Sequence, residues 1–321
     1  MKKLLGQLFV IKEFGAIIGF SAVFVAFAII NPRAFLSGQN LGGMLTMAAQ
    51  LGIMAIGISF LMISGEFDLS VGSVYALSPM FMALMVNGGL HPIPAFCIAL
   101  AIAAFIGACN GVITLQMGIP SFITTLGMMM LVRGVILAVT GGFPVLYKGH
   151  AFELISALNL RFGDTNFRAS TVWFLVLVII FAVVLTRTRY GNWVLATGGN
   201  RQTAQALGIN WWRTKFTNFI LCSLLAGFSG MVNMGRFLTV EADLGEGMEL
   251  EAIAAAVIGG NLLTGGYGSI IGTLIGAGLI GMMRSGLVLA GAPVYWYRAF
   301  IGGILVAAVI INVRVQKAVV R

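Results

Sequence analysis

The sequence is short of charge and of the side chains that most often build metal and catalytic sites. Asp, Glu, Lys and Arg make up 9% of its 321 residues, whereas they make up about a quarter of a soluble domain. Its two histidines, His91 and His150, lie far apart, and Cys97, Cys109 and Cys222 fall in apolar stretches that suit small buried hydrophobes better than a disulfide. No nucleophile–base pair stands out. We therefore expect no metal, no cofactor and no enzyme activity in this chain.

Two further absences bear on the source of energy for a membrane protein. The chain has no GxxxxGK[ST] phosphate loop, so it does not bind ATP through that motif. No Asp or Glu lies near the middle of an apolar segment, where ion-coupled carriers usually hold such a group. If the protein pumps, a partner hydrolyses the nucleotide. A stand-alone ion-coupled carrier or facilitator is the alternative.

Apolar length is what the sequence has in abundance. Hydrophobic residues make up 59% of the chain, and the mean hydropathy is +1.01. The apolar runs are long and lack period-two alternation, which favours helices over a barrel. We predict an all-α integral membrane protein with one domain, 1–321. Its ten spans are predicted at 14–31, 43–64, 70–87, 93–117, 121–141, 171–186, 216–235, 249–264, 268–290 and 295–313.

The basic residues predict how the chain is oriented, because Lys and Arg are retained on the cytoplasmic side of short loops. With a cytoplasmic N-terminus, eleven of the nineteen fall inside: Lys2, Lys3, Lys12, Arg187, Arg189, Arg201, Arg213, Lys215, Arg314, Lys317 and Arg321. Both termini are then cytoplasmic, and most acids lie outside. The net charge of +9 thus reflects topology, and its dispersion argues against a nucleic-acid partner. The N-terminal apolar run would read as a cleaved signal peptide only if a small-residue cleavage site followed it.

Two loops are long enough to meet partners. In the inner loop, 187–215, Asn200 is a candidate N-cap and Gly208 a candidate helix stop, which predicts a short docking helix over 201–207. The outer loop, 142–170, is predicted to contain a short amphipathic helix.

Glu66 and Asp68 lie between the second and third predicted spans. Asp68 or Ser70 is a candidate N-cap of the third span, where an acid is favoured by the helix dipole. The flanking glycines, Gly65 and Gly72, indicate a bend or gate near the inner mouth of a path. A cap and a gate are compatible roles.

Other polar residues within the spans have two readings. Arg133 and Arg284 either snorkel to headgroups, or line an outer vestibule or pair with Glu249 or Glu251. The uncharged polar residues either line a path or bond between helices: Gln50, Asn110, Gln116, Thr124, Thr125, Asn218, Asn233 and Asn261.

Small residues and punctuation carry two weaker signals. Gly268, Gly272 and Gly276 recur at four-residue spacing, which predicts close helix packing; a phosphate cradle would need an accompanying Lys or Arg. Acids introduce the third span from the inside and the eighth from the outside, which is consistent with an inverted repeat of five spans.

Four ordered motifs carry a resemblance to a known family. They are Ser64-Gly-Glu-Phe-Asp-Leu-Ser-Val-Gly-Ser73, Thr125-Leu-Gly-Met-Met-Met-Leu-Val-Arg-Gly134, Gly198-Gly-Asn200 with Gly208-Ile209, and Glu249-Leu-Glu-Ala-Ile-Ala-Ala-Ala-Val-Ile-Gly-Gly260 followed by Gly265-Gly-Tyr-Gly268. Over nearly its whole length the chain resembles the ribose-type permease subunits of bacterial ABC sugar importers, within the superfamily that includes branched-chain amino acid permeases.

That resemblance implies a fold, partners and a location. It implies a type II importer permease of about ten helices in the bacterial inner membrane, paired with a second copy or paralogue so that a sugar-like solute passes between them. A cytoplasmic ATPase would drive the cycle, and a periplasmic binding protein would deliver the solute.

The resemblance also assigns residues. The cytoplasmic coupling helix that docks on the ATPase is matched by Gly199, Asn200, Ala204, Gly208 and Ile209. Candidate gate or path residues, from the motifs and the polar positions together, are Glu66, Asp68, Ser70, Asn110, Thr124, Arg133 and Asn261. Thr203-Ala204, Ala206-Leu207 and Val288 depart from the usual family pattern. The last of these leaves the solute open, since relatives often have a polar residue there.

Overall fold

The computed structural model describes residues 13–149, 152–293 and 295–319, and nearly all regular structure in them is helical. In chain order the helices are α1 (Phe14–Ile30), α2 (Pro32–Phe35), α3 (Gly38–Ile63), α4 (Val71–Asn87), α5 (Pro92–Met117), α6 (Ser121–Thr140), α7 (Phe152–Ala157), α8 (Ala169–Arg187), α9 (Arg189–Gly199), α10 (Arg201–Ala206), α11 (Trp211–Phe237), α12 (Met248–Ile258), α13 (Ile270–Leu289) and α14 (Trp296–Val319). Strand β1 (Val145–Leu146) pairs antiparallel with β2 (Thr239–Val240).

Six of the described helices are long and apolar enough to cross a membrane: α3, α5, α6, α8, α11 and α13. The prediction of a helical, multi-pass membrane protein is therefore confirmed. Each of the ten predicted spans coincides with a helix, but ten crossings are not confirmed, because α1 and α4 are shorter apolar helices and α12 is shorter still.

Most helix ends coincide with local signals in the sequence. Ser37 accepts a hydrogen bond from the Asn40 N–H at the start of α3, and Ser269 accepts one from Gly272 N–H at the start of α13. Gly118 ends α5 in the left-handed region, with φ of +71°. Such signals are local, which is why the sequence placed most boundaries within a few residues.

The predicted span 249–264 is wrong at its C-terminal end. Helix α12 stops at Ile258, and Gly260 has φ of +88°, which turns the chain back toward α13. An 11-residue helix rises about 16 Å, roughly half the hydrocarbon thickness of a bilayer. Helix α12 therefore does not cross a membrane alone.

Helix α3 forms the centre of the bundle and is buried along most of its length. It packs against α11, α12, α13 and α8. Outer helices expose large apolar side chains, such as Phe105, Met130 and Ile179, as expected of surfaces that face lipid. Cys222 is buried as predicted, but the prediction is wrong for Cys97, which is exposed, and for Cys109, which is half-buried. Apolar sequence alone does not tell a lipid-facing residue from a core residue.

The predicted close packing of small residues is confirmed between α12 and α13. A Cβ atom at Gly272 would overlap the carbonyl oxygen of Gly259, and one at Gly276 would overlap that of Ala255. The two backbones are therefore in direct contact.

The bundle has two distinguishable ends. We call the end that carries β1 and β2 the ribbon end, and the end that carries α10 the short-helix end. The helix predicted in the loop 142–170 is confirmed as α7. Lys2, Lys3, Lys12, His150 and Arg321 lie outside the described residues, as do the side chains of Arg314 and Lys317.

Candidate functional site

The turn between α3 and α4, residues 64–70, brings three of the predicted gate residues together. Asp68 Oδ1 accepts hydrogen bonds from Ser70 N–H (2.8 Å) and Ser70 Oγ (2.6 Å), and its Oδ2 accepts one from Asn110 Nδ2 (3.2 Å). All three side chains are buried. Burial raises the pKa of the Asp68 carboxyl to about 6, and the hydrogen bonds from Ser70 and Asn110 act in the opposite direction.

This arrangement refines the predicted capping role. Ser70 occupies the N-cap position of α4, but its side chain makes no capping hydrogen bond. Asp68 instead holds the backbone of the turn and links it to α5 through Asn110. Sequence spacing did not reveal Asn110 as the partner, because the two residues are 42 positions apart.

Glu66, in the same turn, pairs with a lysine that the sequence placed only among the inner basic residues. Lys215 Nζ lies 2.6 Å from Glu66 Oε1, and the two side chains are 10% and 16% exposed. Phe67 N–H also donates to Ser121 Oγ at 3.2 Å. The turn is thus tied to the first residues of both α11 and α6.

Four glycines form a contact that we call the glycine junction: Gly65, Gly198, Gly265 and Gly266. Gly266 N–H donates to the carbonyl oxygen of Ile63 at 2.8 Å. A Cβ atom at Gly198 would overlap that same oxygen, and one at Gly265 would lie 3.0 Å from Gly65 Cα. The end of α9, the 64–70 turn and the turn before α13 therefore meet through backbone atoms.

Helix α10 projects from this junction, and its predicted ends are confirmed. Asn200 Oδ1 accepts a hydrogen bond from Thr203 N–H at 2.9 Å, and Gly208 has φ of +80°. The residues predicted to dock do not all face outward: Gly199, Asn200 and Gly208 are exposed, whereas Ala204 is 1% exposed. Leu207, which belongs to a residue pair that differs from the usual family pattern, is 74% exposed.

At the ribbon end, Arg133 holds the segment between β2 and α12. Its guanidinium donates to the carbonyl oxygens of Ala242 (2.5 Å) and Leu244 (3.1 Å). The segment reaches the start of α4, because a Cβ atom at Gly72 would lie 2.7 Å from the Gly245 carbonyl oxygen and would overlap the Glu249 carboxylate. The N-termini of the two short helices α4 and α12 therefore meet inside the bundle.

Two cavities flank the segment 241–249. The large cavity, about 810 Å³, is lined by Ser73, Arg133 and Glu249 together with three more acids, Glu241, Asp243 and Glu246. The inner cavity, about 360 Å³, is lined by Gln50, Tyr75, Asn233, Arg284 and Glu251 among others. Arg284 lies 3.4 Å from Glu251. All four residues thus line a cavity: Arg133 the large one, and Gln50, Asn233 and Arg284 the inner one. Arg284 also makes the predicted pairing with Glu251.

Two remaining candidates lie elsewhere. Asn261 is fully buried: its amide donates to Ser59 Oγ and Thr273 Oγ1, each at 2.9 Å, and accepts from Ser269 N–H at 2.8 Å. Asn261 thus forms hydrogen bonds between helices, which is one of the two roles predicted for it. Thr124 is buried near the start of α6, and its hydroxyl has no hydrogen-bond partner among the described residues.

The sequence is similar to those of known transport proteins. Residues 40–309 match the family model described as branched-chain amino acid transport system / permease component. The chain is 35% identical to the ribose import permease protein RbsC of Escherichia coli K12, with 92% of each chain covered. It is 30% identical to the xylose/arabinose import permease protein XylH of Sulfolobus acidocaldarius (93% of this chain, 84% of the relative). It is 32% identical to the autoinducer 2 import system permease protein LsrC of Enterobacter sp. 638 (97% and 89%).

Proposed function

The chain belongs to the branched-chain amino acid transport system permease family, and from its similarity to sugar permeases we propose that it carries a sugar or sugar-like polar solute. It is a permease subunit of an ABC importer and not an enzyme. The observation that carries the proposal is the placement of two cavities lined in part by charged side chains at one end of an apolar bundle and an exposed capped helix at the other. Relatives of similar length are named as permeases for ribose, xylose/arabinose and autoinducer 2.

The orientation we propose puts the short-helix end in the cytoplasm of a bacterium and the ribbon end outside the inner membrane. Basic residues support this, since Arg201 begins α10 and Arg187, Arg189 and Arg213 belong to the neighbouring helices α8, α9 and α11. Both termini are then cytoplasmic. The cytoplasmic ATPase docks on α10, the periplasmic binding protein docks at the ribbon end, and a second permease copy or paralogue completes the path.

We also propose the finer architecture, a type II importer fold with an inverted repeat. Helix α4 begins after a turn at the short-helix end, whereas α12 begins after a segment that enters from the ribbon end. Their N-termini meet at Gly72 and Glu249. Two short helices that enter from opposite sides and meet inside the bundle are what an inverted repeat produces.

The contacts support a proposed route by which ATP-driven closure of the partner would reach the solute. Movement of α10 is transmitted through α9 to the glycine junction, and from there to the 64–70 turn. The Glu66–Lys215 pair and the Asp68–Asn110 bond link that turn to α11 and α5. Helix α4 then acts on the segment 241–249, which separates the two cavities.

The test is transport by the purified permease in proteoliposomes with its ATPase and binding protein. We expect ATP-dependent uptake of at least one radiolabelled neutral monosaccharide or polyol, and none without the ATPase. Uptake driven by a proton or sodium gradient, with neither partner present, would overturn the importer mechanism. Uptake of leucine but of no sugar or polyol would overturn the solute class.

A further inference from the structure

The inner cavity is lined by buried polar side chains, and one of them has an amide nitrogen that is left without a hydrogen-bond partner among the described residues. Gln50 from α3, Tyr75 from α4 and Asn233 from α11 all line it, and they are 9%, 1% and 5% exposed. Gln50 Nε2 is buried with no hydrogen-bond partner among the described residues. Buried amides without a partner are rare, because each loses its hydrogen bonds to water on burial. Three helices thus direct polar side chains toward one space.

The hydrogen bond that joins α3 to α11 at this level does not use the Gln50 side chain. Ser229 Oγ of α11 donates instead to the backbone carbonyl oxygen of Gln50 at 2.5 Å. The Gln50 amide is left over from that contact. Because the Gln50 side chain lines the inner cavity, a hydroxyl group that enters there is a candidate partner for this amide.

The charged residues around the cavity balance. Arg236, Arg284 and Arg298 oppose Asp243, Glu246 and Glu251, so the formal charge of the lining is zero. A lining rich in both donors and acceptors with no net charge complements a neutral molecule that carries many hydroxyl groups. The volume of about 360 Å³ equals about twelve water molecules, which is room for one small solute.

The position of the cavity gives binding a consequence. Asp243 and Glu246 line both the inner and the large cavity, so the segment 241–249 forms the wall between them. A solute in the inner cavity therefore contacts the segment that Arg133 holds on its other side. Residues of six helices, α3, α4, α11, α12, α13 and α14, line the inner cavity together with this segment, so the cavity lies within the helical bundle.

We propose that the inner cavity is a binding subsite for a neutral polyhydroxylated solute, contained within a single permease chain, with Gln50, Tyr75 and Asn233 as its hydrogen-bonding base. This deepens, and rests on, the proposed function. The subsite lies beside the path that a second permease completes, and we expect a single copy to bind solute there.

The experiment measures binding of radiolabelled D-ribose and xylitol to the purified permease in lipid nanodiscs, by equilibrium dialysis without the binding protein. Tyr75→Phe removes only a hydroxyl, and Gln50→Leu replaces an unpaired amide by an apolar group of similar size. We expect saturable binding by the wild-type chain and about three- to tenfold weaker binding in each variant, the range for one lost hydrogen bond. Gln39→Leu, the same change at an exposed position of α3, should bind as the wild type does.

The outcomes separate the subsite from the proposed function. Unchanged affinity in both Tyr75→Phe and Gln50→Leu overturns the subsite, and so does absence of saturable binding by a wild-type permease whose complete importer transports neutral sugars. Tighter binding of ribose 5-phosphate than of D-ribose overturns the assignment to neutral solutes. Failure of the proposed function has a different signature, since the complete importer would then take up no sugar or polyol at all.

Discussion

Lys215 Nζ lies 2.6 Å from Glu66 Oε1, and this pair joins the N-terminal part of α11 to the turn between α3 and α4. The side chains are 10% and 16% exposed, so water screens the pair only in part. Lys215→Met should therefore leave an uncompensated carboxylate and lower stability on the order of 1–3 kcal/mol, between the values for exposed and buried pairs. Thermal unfolding of the purified permease measures this, and the double variant Glu66→Gln/Lys215→Met should recover part of the loss. Simple additivity of the two single effects would contradict a direct interaction.

Arg133 should control how firmly the segment 241–247 is held. Arg133→Lys keeps the charge but loses the planar fork that reaches both carbonyl oxygens, so the segment should open more often. In a Cys97→Ser background, Ala242→Cys should react about tenfold faster with a membrane-impermeant maleimide when Arg133 is replaced, for a loss of about 1.4 kcal/mol. Arg187→Lys, at the exposed end of α8, is the matched control. Equal labelling rates in both variants would show that Arg133 does not hold the segment.

Adjacent glycines at the end of α9 should respond very differently to one added methyl group. Gly198→Ala places Cβ against the Ile63 carbonyl oxygen, whereas Gly199→Ala places it 3.7 Å from Gly266 Cα, an ordinary contact. We expect Gly198→Ala to abolish ATP-driven uptake and Gly199→Ala to retain it. Membrane-inserted protein is quantified in parallel. Wild-type uptake by Gly198→Ala would exclude the glycine junction from the coupling route.

Leu207 should mediate docking more directly than Ala204, because it is 74% exposed and Ala204 is 1% exposed. Leu207→Asp should abolish co-purification of the ATPase while leaving the thermal stability of the permease unchanged. Leu160→Asp, at an exposed position of the ribbon end, should keep the ATPase bound. Bulky substitutions at Ala204 should instead destabilise α10, which thermal unfolding would reveal. Normal ATPase binding by Leu207→Asp would remove this surface of α10 from the interface.

The features that could be predicted from the sequence are those that depend on residues close to one another in the chain. Asn200 and Gly208 bracket α10 because an N-cap and a left-handed stop act within one turn of the helix they define. The long helices could also be predicted, because each of them is a continuous apolar run. The burial of Ala204 was not accessible, because a six-residue helix does not reveal which of its faces packs against the chain.

Pairings across the bundle could not be predicted from spacing. Asn110 with Asp68, and Lys215 with Glu66, join residues 42 and 149 positions apart, and many polar residues in the spans were equivalent candidates. The contact of Glu249 with Gly72 could not be predicted either, because the eighth span is predicted to be longer than α12 and to cross the membrane. In the described helices, acids occur only in the first turns of α7 and α12. The sequence pattern places Glu249 at a membrane boundary, whereas in the structure its carboxylate lies against Gly72 of α4.

The contact of Gly259 with Gly272 changes how an alanine scan of this permease should be read. Alanine usually reports what a side chain contributed, since it removes atoms, and a large effect identifies a lost interaction. At Gly259 and Gly272 alanine adds an atom to a place already filled by backbone. A large effect there identifies space that must stay empty, and no smaller residue exists with which to repair it. Suppressors of such variants must therefore arise by moving a helix, and they will map away from the site of damage.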